Sequence, residues 1–283
     1  MWGMDRSEKV ESIVVRLKDA VIVVAHPDDE ILWFSSILDK CRAVVACFGQ
    51  SANSDESWNH GRATLMENFP LDKVRFLKVR QSDAYETADW KKPTENDFGL
   101  QLRRPSVSYA ENAQTLQQLL ADELRNETVV FTHNPWGEYG NEEHVQVFKV
   151  VERLRQSLGF DLYVNGYVSN RSLKLMSENS GRISGQPLAF KTDVELASAL
   201  MQKYVQHECW TWLDDYKWPQ WELFYQTQPL MEGRVPHAGA TASPPLNYLG
   251  HDFDKNIIIQ MASKMLPKGV KAGVKQFLIR SDR

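Results

Sequence analysis

Apolar and polar positions along the chain alternate between two patterns. Short runs rich in β-branched residues recur as VIVVA (21–25), AVVACF (43–48), KVRFLKV (73–79), ETVVFT (127–132) and DLYVNGY (161–167). Between most of them apolar residues fall at helical spacing, over 30–40, 59–69, 110–125 and 143–158. Strands alternating with helices predict an α/β fold with a largely parallel sheet and helices on both faces. In such sheets a ligand site lies outside the carboxyl ends of the strands.

Two stretches break the rhythm. Residues 80–109 are polar and irregular, with Pro93, Gly99 and Pro105, and read as a long loop of functional or mobile character. After about residue 185 the texture changes. A helical stretch at 193–208 leads into ECWTWLDDYKWPQWELFYQ, which holds Trp210, Trp212, Trp218 and Trp221. A loop rich in Gly, Pro and Ala follows at 232–246, and the last twenty residues carry six basic residues against one acid. The chain therefore divides into a domain over 1–185 and a C-terminal elaboration over 186–283, packed on the same core.

Composition narrows the class. The 283 residues are 42% hydrophobic and 25% charged, which suits a globular fold with a sizeable core. A net charge of −4 gives nucleic acid no obvious hold on the surface as a whole. No apolar run approaches the roughly 20 residues that span a bilayer. The N-terminal stretch MWGMDRSEKVESIVV lacks a signal-peptide core, so the expected location is the cytoplasm. Cys41, Cys47 and Cys209 are not spaced as a zinc knuckle and read as buried free thiols. Nothing in the chain indicates an oligomeric state.

The chemistry concentrates in VIVVAHPDDE, residues 21–30. An apolar strand runs into a histidine, a turn-forming proline and three acids. Acids at a helix start are ordinary, because the dipole favours them there. His26 is not explained that way. A histidine and an aspartate three residues apart across a tight turn can both reach one divalent ion. His26 and Asp29 are the two donors, and Asp28, pointing elsewhere, is free to act as a general base.

A third donor should follow another strand, since a catalytic zinc site takes three protein ligands and keeps one position open. ETVVFT is followed by HNPWGEYGNEEHVQVFKVV. His133 stands at the strand end, where a hydrogen bond to backbone is the bland role. His144 stands at the entrance of an apolar-periodic helix. Glu142 and Glu143 flank it and are placed to orient its ring. His26, Asp29 and His144 together make a His/Asp/His set suited to metal-assisted hydrolysis.

AHPDDE resembles the signature of the LmbE-like or PIG-L family of zinc-dependent deacetylases. GEYGNEEHVQV resembles that family's second motif, Gly-x-x-Gly-His-x-Asp/Glu-His with a following aliphatic residue. The resemblance covers roughly 15–185. It implies a Rossmann-like α/β fold and one Zn²⁺ held by His26, Asp29 and His144, with Asp28 as general base. The implied reaction removes an N-acetyl group from an N-acetylglucosamine-type sugar or its conjugate. The chain departs from the motif at Asn141, where the family usually has a histidine that stabilises the oxyanion or handles a proton. An asparagine amide donates a hydrogen bond but is no acid. Loss of one oxyanion donor elsewhere costs about 10²–10³ in rate, so a weakened enzyme is one expectation. Tyr139 and His133 are the residues that would compensate.

The substrate needs further contacts. Arg62, in NHGRATLMENF, falls where the family often keeps a substrate-binding arginine, although a solvated helix face explains it as well. His133 and Glu143 are taken with Arg62 as substrate-side residues. The loop GQSANSDES (49–57) offers hydroxyl and amide groups. The four tryptophans read as sugar-stacking rings or, more commonly, packed core. The basic tail and IIIQMASKML (257–266) would meet a phosphate-linked or lipid-linked sugar or a membrane surface, or form a solvated basic face. Bacterial polysaccharide or glycoconjugate biosynthesis is the expected setting. Three other readings compete. A nucleotide-binding α/β protein would use the acidic helix start for Mg²⁺ and phosphate, but the first turn lacks the glycines for a phosphate cradle. A sugar-binding relative would have lost hydrolysis at Asn141. A zinc amidase would act on a different acyl group.

Overall fold

The computed structural model describes residues 16–228 and 245–251. The strands, in chain order, are β1 (Val21–Val24), β2 (Ala43–Phe48), β3 (Val74–Val79), β4 (Glu95–Asn96), β5 (Gly99–Leu100), β6 (Val129–Thr132), β7 (Asp161–Asn165), β8 (Tyr167–Ser169), β9 (Ile183–Lys191), β10 (Trp221–Thr227) and β11 (Asn247–Leu249). Among the described residues seven of them form one sheet in the order β3-β2-β1-β6-β7-β10-β9. The first five run parallel, while β10 is antiparallel to both β7 and β9. The two small ribbons β4–β5 and β8–β11 lie outside this sheet.

All four residues of β1 are buried, as a central parallel strand covered on both faces demands. Alternate side chains feed opposite cores. Ile22 and Val24 join Trp33, Phe131, Tyr204 and Phe224 on one face. Val21 and Val23 join Leu116, Leu120, Val147 and Val151 on the other. Helices Glu56–Glu67 and Val194–Gln206 cover the first face, and helices Val107–Glu123 and Glu142–Leu158 cover the second. The α/β, Rossmann-like expectation is met.

The expected strands and most helices fall within a few residues of their places. The helix expected over 30–40 does not form as one piece. It is broken into Asp29–Leu32 and Ser35–Leu38, with Trp33 and Phe34 between. The break is held by a buried acid from β10: Glu222 accepts from Ser35 Oγ at 2.9 Å, Ser36 N at 2.8 Å and Tyr167 OH at 3.1 Å. Sequence reading also missed β9 and β10 as strands of the main sheet. Pro187 interrupts the apolar pattern of β9, yet it is tolerated because β9 is the edge strand of the sheet among the described residues, with no ladder partner there on its far side. Residues 80–109 are largely irregular, with the β4–β5 ribbon inside, and the next helix begins at Val107 rather than 110.

All three cysteines are buried and free. No helix among the described residues is long and apolar enough to cross a membrane. The basic tail, IIIQMASKML and most of the loop at 232–246 lie outside the described residues.

Candidate metal centre

The strand order reverses between β1 and β6: from β1 the chain proceeds outward through β2 and β3, then returns to place β6 and β7 on the other side. A crevice opens outside the strand ends at such a switch point. His26 lies just past β1, and the β6 loop carries His133 and leads to His144 in the helix Glu142–Leu158. The structure thus brings His26, Asp29 and His144 together, all buried.

Three atoms of these side chains form a nearly equilateral triangle. His26 Nδ1 lies 3.2 Å from His144 Nε2 and 3.3 Å from Asp29 Oδ2, and His144 Nε2 lies 3.3 Å from Asp29 Oδ2. Tetrahedral ligands at zinc bond lengths of about 2.0–2.1 Å are spaced about 3.3 Å apart. The donor set and its spacing therefore fit a zinc ion.

Each donor is oriented by a partner on its far side. His26 Nε2 lies 2.8 Å from Glu143 Oε2, which leaves Nδ1 for the metal. His144 Nδ1 lies 2.6 Å from Glu138 Oε2, which leaves Nε2. Trp33 Nε1 donates to Asp29 Oδ1 at 2.8 Å, while Asp29 Oδ2 accepts from His26 N at 2.7 Å. Carboxylates behind metal-binding imidazoles fix the tautomer and raise ligand basicity. Burial alone lowers the His26 pKa, but the Asp29 and Glu143 carboxylates outweigh it and raise it to about 9. Burial pushes Glu138 up, and His133 and His144 pull it down to about 2.

Glu138, Trp33 and Thr211 also hold residues of the candidate site, although sequence reasoning gave them no role. Glu138 lay inside the quoted GEYG stretch without a role. It is buried, with Oε1 accepting from Asn134 N and Asn165 Nδ2. The turn that delivers it needs Gly137: φ is +64°, and a Cβ there would lie 2.5 Å from Asn141 O.

The two acids flanking His144 act elsewhere than on its ring. Glu143 holds His26 and accepts from both Ser82 N and Ser82 Oγ at 2.6 Å. Glu142 accepts from Glu86 N, Ala88 N and Trp90 Nε1, so it anchors the 80–109 loop. His133 is fully buried. Ala25 N donates to its Nε2 at 2.7 Å, which places the ring hydrogen on Nδ1, 3.1 Å from Glu138 Oε2. His133 supports the site from beneath and does not line the cavity, unlike Glu143.

Asp28 stands outside the triangle. Its φ is +100°, a left-handed conformation that costs a non-glycine residue energy and is concentrated at functional sites. Glu30 Oε2 accepts from Asp28 N at 2.9 Å and steadies this backbone. Asp28 Oδ2 accepts from the Thr211 hydroxyl and lies 3.7 Å from Arg62 Nη2. Burial raises the Asp28 pKa; Arg62 tempers the rise, and Asp29 adds to it, leaving it at about 6. Arg62 is buried, not solvated. It donates to Pro27 O at 3.1 Å and lies over the Trp58 ring at 4.1 Å.

Asn141 caps the helix that carries His144. Its Oδ1 accepts from Glu143 N at 2.9 Å, and its Nδ2 donates to Tyr139 OH at 2.7 Å. A backbone N–H at Oδ1 fixes which side of the amide is which.

These groups open into a cavity of about 290 Å³, whose walls include Asp28, Arg62, Tyr85, Tyr139, Asn141 and Trp212. Gln81 and Glu86 of the 80–109 loop and Ser54 of the 49–57 loop also reach it. Of the four C-terminal tryptophans only Trp212 lines it; Trp210 and Trp218 pack against the core, and Trp221 is half exposed.

The molecule is thus an α/β protein with a candidate metal centre at the switch point of its parallel sheet. Residues 21–154 match the PIG-L family model, described as GlcNAc-PI de-N-acetylase, and form a domain of that LmbE-like family. Among curated protein sequences none matches this chain. Solved structures with a distant likeness include a deacetylase–teicoplanin complex from the teicoplanin biosynthesis pathway, 12% identical, covering 74% of this chain and 97% of that one at a TM-score of 0.43. The zinc-inhibited form of teicoplanin deacetylase Orf2 is 14% identical, with 75% and 99% coverage at 0.43. The A40926 pseudoaglycone deacetylase Dbv21 is 12% identical, with 75% and 98% coverage at 0.43.

Proposed function

We propose that this chain is a zinc-dependent amide hydrolase that removes the N-acetyl group from an N-acetylglucosamine-type amino sugar or its conjugate. The observation that carries this reading is the triangle of three donors, each locked from behind, with the Asp28 carboxylate left outside it in the same cavity. Bound at the triangle, zinc would polarise the amide carbonyl and acidify a water molecule.

The residues supply the rest. Asp28, with a pKa of about 6, is largely ionised at neutral pH and accepts the proton of the attacking water. The same carboxyl group then returns that proton to the leaving amine nitrogen. Thr211 and Arg62 hold the carboxylate in place through both steps. Asn141 Nδ2 has a second N–H beyond the one given to Tyr139, and this hydrogen faces the role of oxyanion donor. Burial holds the Tyr139 hydroxyl well above its usual pKa, so it stays a neutral hydrogen-bonding group beside the oxyanion. Arg62, Trp58 and Tyr85 form the wall against which the sugar ring rests.

The test compares Asp28→Asn with the native protein. Native protein should bind about one zinc per chain and release acetate from an acetylated amino sugar. Asp28→Asn should keep the zinc and lose about 10²–10⁴ in kcat. Loss of metal in that variant would overturn the division of roles. Zinc-loaded native protein that releases no acetate from a panel of free and conjugated N-acetylglucosamines would favour the sugar-binding reading, with Asn141 as its cause.

A further inference from the structure

The carboxylates of Asp28, Asp29, Glu86 and Glu143 reach the walls of the metal-donor cavity, against one guanidinium, that of Arg62. A divalent ion at the triangle would cancel two of the three charges left over. Asp29 and Glu143 are spent on the donor set: Asp29 is one of its members, and Glu143 holds His26. Arg62 is buried and already engaged by Pro27 O, the Trp58 ring and the Asp28 carboxylate. Glu86 is the acid that none of these contacts explains.

Its placement is costly. The φ of Glu86 is +66°, a left-handed conformation that a non-glycine residue adopts at a penalty and that is concentrated at functional sites. Glu142 holds the backbone there, accepting from Glu86 N at 3.1 Å and from Ala88 N at 2.8 Å. Beside it the Arg171 guanidinium lies over the Tyr85 ring at 5.2 Å and the Trp90 ring at 5.6 Å. Arg171 Nη1 stands 3.6 Å from Glu86 Oε1, too far for a hydrogen bond. The Arg171 side chain is 3% exposed and does not line the cavity; the Glu86 side chain is 22% exposed and does. The acid therefore meets the cavity, and the cation that tempers it stays behind the wall.

Charge at the wall selects the ligand. Phosphate groups bind where arginines, lysines or backbone N–H groups converge. Among the described residues the cavity presents no lysine or arginine besides Arg62. A like charge roughly 6–8 Å away in a partly buried cavity weakens binding about tenfold or more. Discrimination is commonly built this way, with a repulsive group set against the wrong ligand. A sugar without an ionised group meets no such penalty.

We propose that Glu86 makes the cavity selective for acetylated amino sugars that carry no anionic group, and excludes those with a phosphate on the ring. This rests on the deacetylase reading of the cavity. The experiment measures kcat/KM of zinc-loaded protein on N-acetylglucosamine, its 1-phosphate and its 6-phosphate. The uncharged sugar should exceed both phosphates by about tenfold or more. Glu86→Gln should bring the larger of the two gaps to about threefold or less, while Glu86→Asp, which keeps the charge, should retain it. A native preference for either phosphate, a gap unmoved by Glu86→Gln, or one lost equally in Glu86→Asp overturns the proposal. Calorimetry separates the two readings, comparing zinc-loaded Asp28→Asn with the Asp28→Asn, Glu86→Gln double variant. Tighter binding of the uncharged sugar in the first, lost in the second, supports the role of Glu86 even where native protein releases no acetate. Equal binding of the three sugars in the first, or binding of none, overturns it whatever the turnover.

Discussion

Thr211 donates its hydroxyl hydrogen to Asp28 Oδ2 across 183 residues of chain. The bond ties the tryptophan-rich segment before β10 to the acid that follows β1. It favours the ionised carboxylate, the form that accepts a proton.

Removing that hydroxyl should weaken turnover without touching the metal. A hydrogen bond to a charged group is worth about 1.5–3 kcal/mol, so Thr211→Val should lower kcat/KM by about tenfold or more. The Asp28 pKa should rise when this bond is lost, moving the acid limb of the pH–rate profile upward. Zinc content should stay that of the native protein. A variant that loses zinc would place Thr211 in the metal site instead.

Glu138 should matter to the metal and only through the metal to rate. Glu138→Gln keeps the shape but weakens the grip on His144 Nδ1. Zinc affinity should fall about 10–100-fold, the usual effect of losing such an orienting partner. A competition titration with a chromogenic chelator measures it, and an unchanged affinity would show that the Asn141-capped helix alone positions His144.

Much of this arrangement was legible from local spacing. His26, Asp28 and Asp29 share one turn, so their order in the sequence nearly dictates their geometry. His144 is reached by asking which other strand end carries a donor. The partners behind the donors were not legible. Glu138 and Glu143 are both acids near His144, and only the turn at Gly137 decides that Glu138 meets its ring while Glu143 meets His26. Thr211 was invisible for another reason: its partner is distant in sequence, and threonine in a tryptophan-rich run has no signature. The break at Trp33 and Phe34 depends on Glu222, which lies slightly farther away still in sequence.

Glu222 gives a pH test of stability. Burial raises its pKa, while Ser35, Ser36 and Tyr167 only partly offset that rise. A raised carboxyl pKa in the folded state means that stability falls as pH climbs from the ordinary carboxylate range through the raised value. Glu222→Gln lacks this titration. The variant should gain on the native protein as pH rises above the ordinary carboxylate range, and the difference should close on acidification. Urea unfolding of both proteins across that rise checks it; parallel curves would mean that the acid titrates as it does unfolded.

Gly61, in the helix Glu56–Glu67, lies against His207, the C-cap of the helix Val194–Gln206. A Cβ at this position would lie 1.8 Å from His207 O, a backbone atom that cannot rotate aside. Gly61→Ala should therefore destabilise by about 1–3 kcal/mol or more, despite the better helix propensity of alanine. A thermal melt that is unchanged or raised would show that the Val194–Gln206 helix yields easily.

The left-handed backbone at Asp28 sets stability and usefulness against each other at one position. Glycine adopts φ = +100° without penalty, and it would also remove a carboxylate from a buried place. The same change would strip the buried Arg62 guanidinium and the Thr211 hydroxyl of their acid, so what the backbone gains is offset at the side chain, while the proton acceptor is lost outright. A library screened first for melting temperature and then for acetate release should show Asp28→Gly near the native protein in the first ranking and at the bottom of the second.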